Sequence, residues 1–477
     1  MNSVEQTFNP QMVSEPNIPV VPVAAKSDKV RWGFAEFFVI SQTAFPAILY
    51  FPGTQFLRVP IRVAPYGIGL IALVWWLFKQ RRSLPRHPAG PWLWLAIAWT
   101  ALMILHPGTN TLVAGLAQTL LYLAVMSPLF WASAFVQSTQ RLKRLLVLLL
   151  ICNAINSLVG VLQAYDPATW LPKEISYTFK YDQFSGMHLT YHAASGELMF
   201  RPPGLFDTPG FVYTAGMIAA LLGMVFFLGK FAFWKRLIAG ALALLGAAAV
   251  YLSHVRSGLV VMIVMMAVYF FVLIFIQKQF SKAILFVGIA ALLLSLTFTY
   301  TILVGGKETS DRMLSLIRED PLKVYDKYRG FMVVQAFSTQ IFEYPIGAGL
   351  ARWGQMRWYF GDESNVNSPL VWAEIQLPAW IIDGGFVLLF LNLAALTINT
   401  SYLIRINRKA SEPDFKFCAS VIVAMTVGTS VMIFSYVLFS TQLGMQYWFF
   451  AGALHGVWQS NKLAQTSRPY TPLTPVS

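Results

Sequence analysis

Three arginines and one glutamate stand where an anionic substrate and an acceptor hydroxyl could be handled. Arg201 opens the turn-rich stretch Arg201-Pro-Pro-Gly-Leu-Phe-Asp-Thr-Pro-Gly210 at the mouth of an apolar run. Arg256 sits in Ser253-His254-Val-Arg-Ser-Gly258, a hairpin between two apolar runs. Arg329 lies near the start of a stretch whose pattern predicts an amphipathic helix over about 326–343. An arginine at membrane depth costs about 2.5–3.5 kcal/mol on insertion scales, so it faces a cavity or a partner. A guanidinium binds phosphate oxygens in pairs, and a diphosphate offers more of them than one arginine covers. Any one of these arginines could snorkel to lipid phosphate or pair with a loop carboxylate. Three together fit a lipid-linked diphosphate.

The glutamate is Glu374 in Trp372-Ala-Glu-Ile-Gln376-Leu-Pro-Ala-Trp380-Ile-Ile-Asp383-Gly-Gly385. Apolar neighbours raise a carboxyl pKa by desolvation, and a nearby arginine lowers it again. A carboxylate tuned between the two can accept a proton from a sugar hydroxyl. The competing reading is a structural ion pair with a loop arginine. Asp383, before a Gly-Gly break, reads as a helix-terminus or turn residue. His188, His192 and His254 are further candidates on the same face, each read first as a solvated loop residue.

The elements that must hold these groups follow from apolar patterning. Of the 477 residues 56% are hydrophobic and 12% charged, about half the charge of soluble domains. Runs of about twenty apolar residues, each able to cross about 30 Å of hydrocarbon, recur at 34–51, 62–78, 91–106, 111–136, 145–164, 210–229, 236–253, 257–276, 283–304, 370–400, 417–440 and 443–460. They lack the alternation of a membrane β-barrel, which leaves helices. The fold class expected is therefore all-α: a polytopic transmembrane bundle of about 12 spans, with two long extracytoplasmic loops, about 165–210 and 305–369, carrying short helices.

Charge orients the bundle. Lys79, Arg81, Arg82, Arg86, Arg141, Lys143, Arg144, Lys230, Lys235, Arg236, Lys278, Lys282, Arg405, Arg408 and Lys409 fall on one side, while the short loops of the other carry only Arg58, Arg62 and Arg256. Short loops set topology, so the first side is cytoplasmic and both termini lie there. The net charge of +14 is thus a topology signal rather than a nucleic-acid footprint. Cys152 and Cys418 lie in or beside apolar runs and build neither a disulfide framework nor a metal site. Residues 1–30 and 461–477 read as disordered cytoplasmic tails around a membrane domain over 31–460, and the polar N-terminus lacks the apolar core of a signal peptide. The two outer loops are rich in aromatics and proline, which favours ordered, functional segments.

The stretches Arg201-Pro-Pro-Gly-Leu-Phe-Asp-Thr-Pro, Ser253-His-Val-Arg-Ser-Gly, Tyr328-Arg-Gly-Phe and Phe342-Glu-Tyr-Pro-Ile-Gly-Ala-Gly, with the block around Glu374, occur in the order of a known family. Over about residues 30–460 the chain resembles the O-antigen ligase and O-antigen polymerase superfamily of bacterial membrane glycosyltransferases. The resemblance implies transfer of a glycan from undecaprenyl diphosphate to an acceptor hydroxyl on the periplasmic face of the cell inner membrane. Such a reaction serves lipopolysaccharide or exopolysaccharide biosynthesis, inverts the sugar and uses neither metal nor cofactor. Arg201, Arg256 and Arg329 would hold the diphosphate, and other polysaccharide-assembly proteins are possible partners. Family ligases carry a His-Asn pair about eleven residues before a glycine of the tenth span. Counting back from Gly385 reaches Glu374, so Glu374 is expected as the base, with Gln376 or Asn367 orienting the acceptor. Two other classes compete: a transporter or flippase of lipid-linked oligosaccharide, which should carry ionisable residues along mid-span, and a non-catalytic scaffold of polysaccharide assembly.

Overall fold

Backbone polar groups in lipid have no water to bond, so a spanning segment must close its hydrogen bonds within itself. The apolar runs accordingly form helices in the computed structural model, which describes residues 31–51, 53–79, 86–171, 190–192, 198–206, 208, 210–318 and 320–466. The chain divides into Met1–Trp32 and Gly33–Ser477, and the helices all belong to the second unit. Among the described residues eight helices are long and apolar enough to cross a membrane: Arg58–Lys79, Leu112–Phe135, Thr139–Tyr165, Phe233–Leu252, Arg256–Ile276, Phe280–Leu303 within a longer helix, Gln376–Lys409 and Pro413–Phe434. Phe34–Tyr50, Gly90–Leu105 and Val212–Phe227 are shorter apolar helices. A last helix, Gln442–Thr466, closes the bundle. Large apolar side chains such as Ile71, Phe78, Leu95, Ile284 and Leu303 stand exposed on its outside. That surface is far larger than a soluble monomer presents. The chain is an all-α membrane protein.

Several boundaries depart from the expectations. The helix that starts at Phe280 runs unbroken to Arg318, so the outer segment expected from 305 begins as helix. Gly305–Arg318 is polar but free of proline, and helix propensity carries the run on until Pro321. Asp320 caps the next segment, with Leu322 N–H donating to its Oδ1 at 3.0 Å and Pro321 in the first turn. Residues 321–343 then continue as alternating α and π turns, five residues earlier than the amphipathic pattern placed their start. The segment expected as the first outer loop carries, besides the short helix Pro167–Trp170, a pair of antiparallel strands, Thr190–His192 with Leu198–Phe200. The tenth apolar run starts as extended chain, and its helix begins only at Gln376. The C-terminal helix reaches Thr466, beyond the expected end at 460.

Small residues bring the central helices together. A Cβ on Gly216 would lie 2.6 Å from Gly246 O, and one on Gly223 2.6 Å from Ala239 O. Val212–Phe227 and Phe233–Leu252 therefore touch backbone to backbone through Gly216, Ala220 and Gly223 against Ala239, Ala243 and Gly246. In lipid, where apolar side chains gain nothing by leaving solvent, this close dispersion contact drives association. A buried carboxylate joins distant helices: fully buried Glu36 binds Arg141 Nη2 at 2.6 Å, stands 3.7 Å from Arg144 Nη1 and accepts from Gly33 N–H at 3.0 Å.

His87 is buried between the rings of Tyr402, 4.9 Å away, and His455, 5.2 Å away. Its Nδ1 accepts from Ala89 N–H at 3.2 Å, so the ring is held neutral. Burial first, and then His455, push its pKa well below the ordinary histidine value. The folded state therefore binds fewer protons than the unfolded one below about pH 6.5. The resulting stability is complete above that pH and is lost as pH falls beneath it.

Two outcomes follow for thermal unfolding in detergent. Gly216→Ala lowers the midpoint by the equivalent of about 1–3 kcal/mol of overpacking, while Gly288→Ala, with open space around its Cβ, leaves it level or slightly higher. The wild-type midpoint is flat above about pH 6.5 and drops toward pH 5, and His87→Phe flattens that drop.

Candidate functional site

Arg201 is set by a turn that two buried side chains pin to the helix Thr139–Tyr165. Gln163 reads Gly204 with both ends of its amide, accepting from Gly204 N–H and donating to Gly204 O, each at 2.9 Å. Asn156 Oδ1 accepts from Leu205 N–H at 2.9 Å, and the Tyr50 hydroxyl also donates to Gly204 O. Gly204 has φ +67, and a Cβ there would collide with Asn156 Oδ1. Only glycine fits both the left-handed backbone and the close approach. The prolines before it stiffen the lead-in, so Arg201 leaves the strand Leu198–Phe200 in a defined direction. Its guanidinium lies along Gly210, whose Cβ, were there one, would sit 3.1 Å from Nε and Nη2 and 3.2 Å from Ser253 O.

That contact brings in the second motif. Ser253–Val255 forms the tight connection between Phe233–Leu252 and Arg256–Phe271, with His254 buried at φ +58. A left-handed histidine is uncommon and costs about 1–3 kcal/mol, a strain that collects at functional sites. Arg256 is the first residue of its helix, and its guanidinium lies 5.6 Å from the centroid of the Tyr328 ring. Its Nε is buried without a hydrogen-bond partner among the described residues.

Arg329 follows Tyr328 in the first π turn, Asp326–Gly330, and forms an ion pair with Glu374. The other Glu374 oxygen accepts from Trp372 Nε1 at 2.9 Å. Burial lowers the Arg329 pKa, and Tyr213, Tyr325 and Tyr436 raise it. Tyr213 stands within electrostatic range of both Arg329 and Arg201. Phe211 packs on Tyr213 and Tyr436 at 5.9 and 5.6 Å, and the Tyr325 hydroxyl donates to Phe434 O at 3.0 Å. Arg201, Arg256, Arg329 and Glu374 thus share one neighbourhood floored by tyrosines. Sequence reasoning missed those four tyrosines. Tyr325 and Tyr328 could have been found from their nearness to Arg329, whereas Tyr213 and Tyr436 carry no local signal.

The other candidates lie elsewhere. Gln376 is fully buried, its Oε1 accepting from Phe439 N–H at 2.7 Å, which ties the start of its helix to the turn Leu438–Ser440. Asn367 is exposed in a turn ahead of the extended segment, its N–H donating to Asn365 Oδ1 at 3.0 Å. No contact with the arginines is present for either among the described residues. His188 lies outside the described residues, and of His192 only the strand backbone is described. A shallow open groove of about 430 Å³ runs along residues 326–339, lined by Asp326, Phe331, Val334, Gln335, Ser338 and Thr339 and by none of the three arginines. Among the described residues no group of three His, Cys, Asp or Glu side chains could hold a metal.

Asp383 is more than the turn residue its Gly-Gly neighbours implied. It is fully buried and accepts from Tyr122 OH at 2.7 Å, Trp353 Nε1 at 2.9 Å and Gln118 Nε2 at 3.2 Å. Directly after it, Gly384 and Gly385 leave helical geometry. The segment Tyr344–Trp353 crosses there as a strap: Ala348 N–H donates to Ile382 O at 2.7 Å and Phe386 N–H to Pro345 O at 2.9 Å. Trp99 Nε1 donates to Gly384 O at 2.8 Å. The Pro-Ile-Gly-Ala-Gly motif is this strap.

Compared with known proteins, the sequence matches no family model and no curated protein.

Asp383→Leu strands three buried donors. At about 1–3 kcal/mol for each unpaired group, the midpoint of thermal unfolding falls sharply, and Asp383→Asn, which keeps one acceptor oxygen, falls less.

Proposed function

We propose that this chain spans the inner membrane about twelve times with both termini cytoplasmic, and that it transfers a glycan from undecaprenyl diphosphate to an acceptor hydroxyl at the outer face, in the manner of the O-antigen ligases and polymerases it resembles. The observation that carries the reading is the meeting of Arg201, Arg256, Arg329 and Glu374 from four separate stretches of chain around Tyr213 and Tyr328. Cations held in fixed positions stabilise a leaving diphosphate without reorganising during the reaction. In the reaction the acceptor oxygen bonds to the anomeric carbon, the bond from that carbon to the phosphate oxygen breaks, and the lipid diphosphate leaves on the arginines. The acceptor proton passes to Glu374. The exposed Trp372 offers an aromatic face beside the carboxylate on which a sugar ring can lie.

A second reading has one observation in its favour. A helix broken at Gly384–Gly385 beside a buried carboxylate is the kind of discontinuity that transporters place at a substrate site. The strap that fills this break argues for a structural role instead.

Reconstitution with radiolabelled undecaprenyl-diphosphate glycan separates the two: glycan release or chain growth supports the transferase, and vesicle uptake without bond transfer supports the transporter. In the transferase, Glu374→Gln keeps the fold and lowers turnover by about 10²- to 10⁴-fold, the span for a lost general base. Full activity in that variant refutes the base assignment.

A further inference from the structure

A base held in an ion pair is a poor base, since the pairing cation stabilises the very charge that proton uptake must remove. Glu374 is held in this way by Arg329, and Arg329 is one of the groups assigned to the diphosphate. The same guanidinium therefore has two anionic claimants. We infer that the Arg329–Glu374 pair is a latch: the diphosphate of the donor takes Arg329, and only then is the Glu374 carboxylate released to act on the acceptor. This rests on the transferase reading and adds an order to it, donor before base.

Four observations support the exchange. The Arg329 and Glu374 side chains are each 34% exposed, so an incoming anion can reach the pair. Glu374 belongs to no helix and lies between fixed points: Val371 N–H is bonded to Arg352 O at 2.9 Å, and Gln376 is anchored on Phe439. Its side chain can turn while the backbone stays. Trp372 Nε1 already bonds the second oxygen, so the carboxylate keeps a partner when Arg329 departs. Finally, Arg256 stands against Tyr328, the residue before Arg329, with no hydrogen-bond partner for its Nε among the described residues. A diphosphate bridging Arg329 and Arg256 satisfies both, which a single carboxylate on Arg329 does not. A dianionic group forms stronger charge-assisted bonds than one carboxylate, so the exchange favours the diphosphate.

The device has a use. Until a donor is bound, the carboxylate stays paired, so an acceptor hydroxyl is not activated at a site that holds no donor.

Farnesyl diphosphate, a short polyprenyl diphosphate, serves as the probe, with binding to the purified full chain followed by titration calorimetry. Removing the competitor tightens binding: Glu374→Gln and Glu374→Asp, the second retracting the carboxylate from Arg329, each bind about two- to tenfold more tightly than wild type, the scale of a partly exposed ion pair. Both lose transfer activity, so affinity and turnover move in opposite directions. Arg329→Ala weakens binding. Melting curves identify variants that keep the fold, and either Glu374 variant alone suffices. Unchanged or weaker binding in a folded Glu374 variant overturns the latch whatever the activity. Tighter binding in a chain whose wild type transfers no glycan leaves the ion-pair exchange standing and refutes the transferase.

Discussion

A helix cannot be broken inside an apolar bundle unless something else takes up its backbone. At Gly384–Gly385 that something is the strap Tyr344–Trp353, joined to both sides of the break by Ala348 and Phe386 and closed by the Trp99 indole. The close fit depends on glycine: a Cβ on Gly385 would collide with Pro345 O, and one on Gly349 with the backbone of Gly108. Beneath the break, Asp383 gathers a phenol, an indole and an amide, and the indole belongs to Trp353 at the end of the strap. Much of the architecture around the candidate site hangs from this junction. It fixes where the helical segment 321–343 ends, where the extended stretch before Gln376 begins, and so how Glu374 comes to face Arg329.

The arginines are positioned by different means. Arg201 depends on amide side chains reading a glycine turn, Arg256 on the first turn of a helix, and Arg329 on a π turn. What unites them is a floor of phenols, which accommodates cations through ring faces and hydroxyl dipoles without neutralising them. Among the described residues, Glu374 is the carboxylate in direct contact with Arg329. An ion pair that stands 34% exposed on both sides can be reached and reopened by a more highly charged ligand.

Where hydrogen bonds are local, sequence was a good guide. The apolar runs are helical because a chain in lipid has no other local solution, and Pro321 and Pro413 start helices where proline fits the first turn. The four stretches carrying Arg201, Arg256, Arg329 and Glu374 are visible by residue type, and residue type alone leaves both an ion-paired and a free Glu374 open. The pair itself was not legible, because it depends on how an extended segment and a π turn meet across long separations. The same holds for Asp383, whose partners Gln118 and Tyr122 lie more than 250 residues away. Gln376 looked like an acceptor ligand by adjacency to Glu374, but the start of the helix turns its side chain inward. The charges from Gly305 to Arg318 argue against membrane crossing but not against helix, which is why the helix Phe280–Arg318 outruns its apolar part.

Glu36 carries a different implication. Its carboxylate is fully buried, and its cation, Arg141, arrives 105 residues later in the chain. During synthesis the first helix therefore exists for a time with an acidic group whose permanent partner has not yet been made. Until the helix Thr139–Tyr165 is delivered, the first helix has every reason to keep that end in water or at the lipid headgroups. The ion pair thus ties the final seat of the helix Phe34–Ala44 to the presence of Thr139–Tyr165, which brings both Arg141 and Arg144 to its carboxylate.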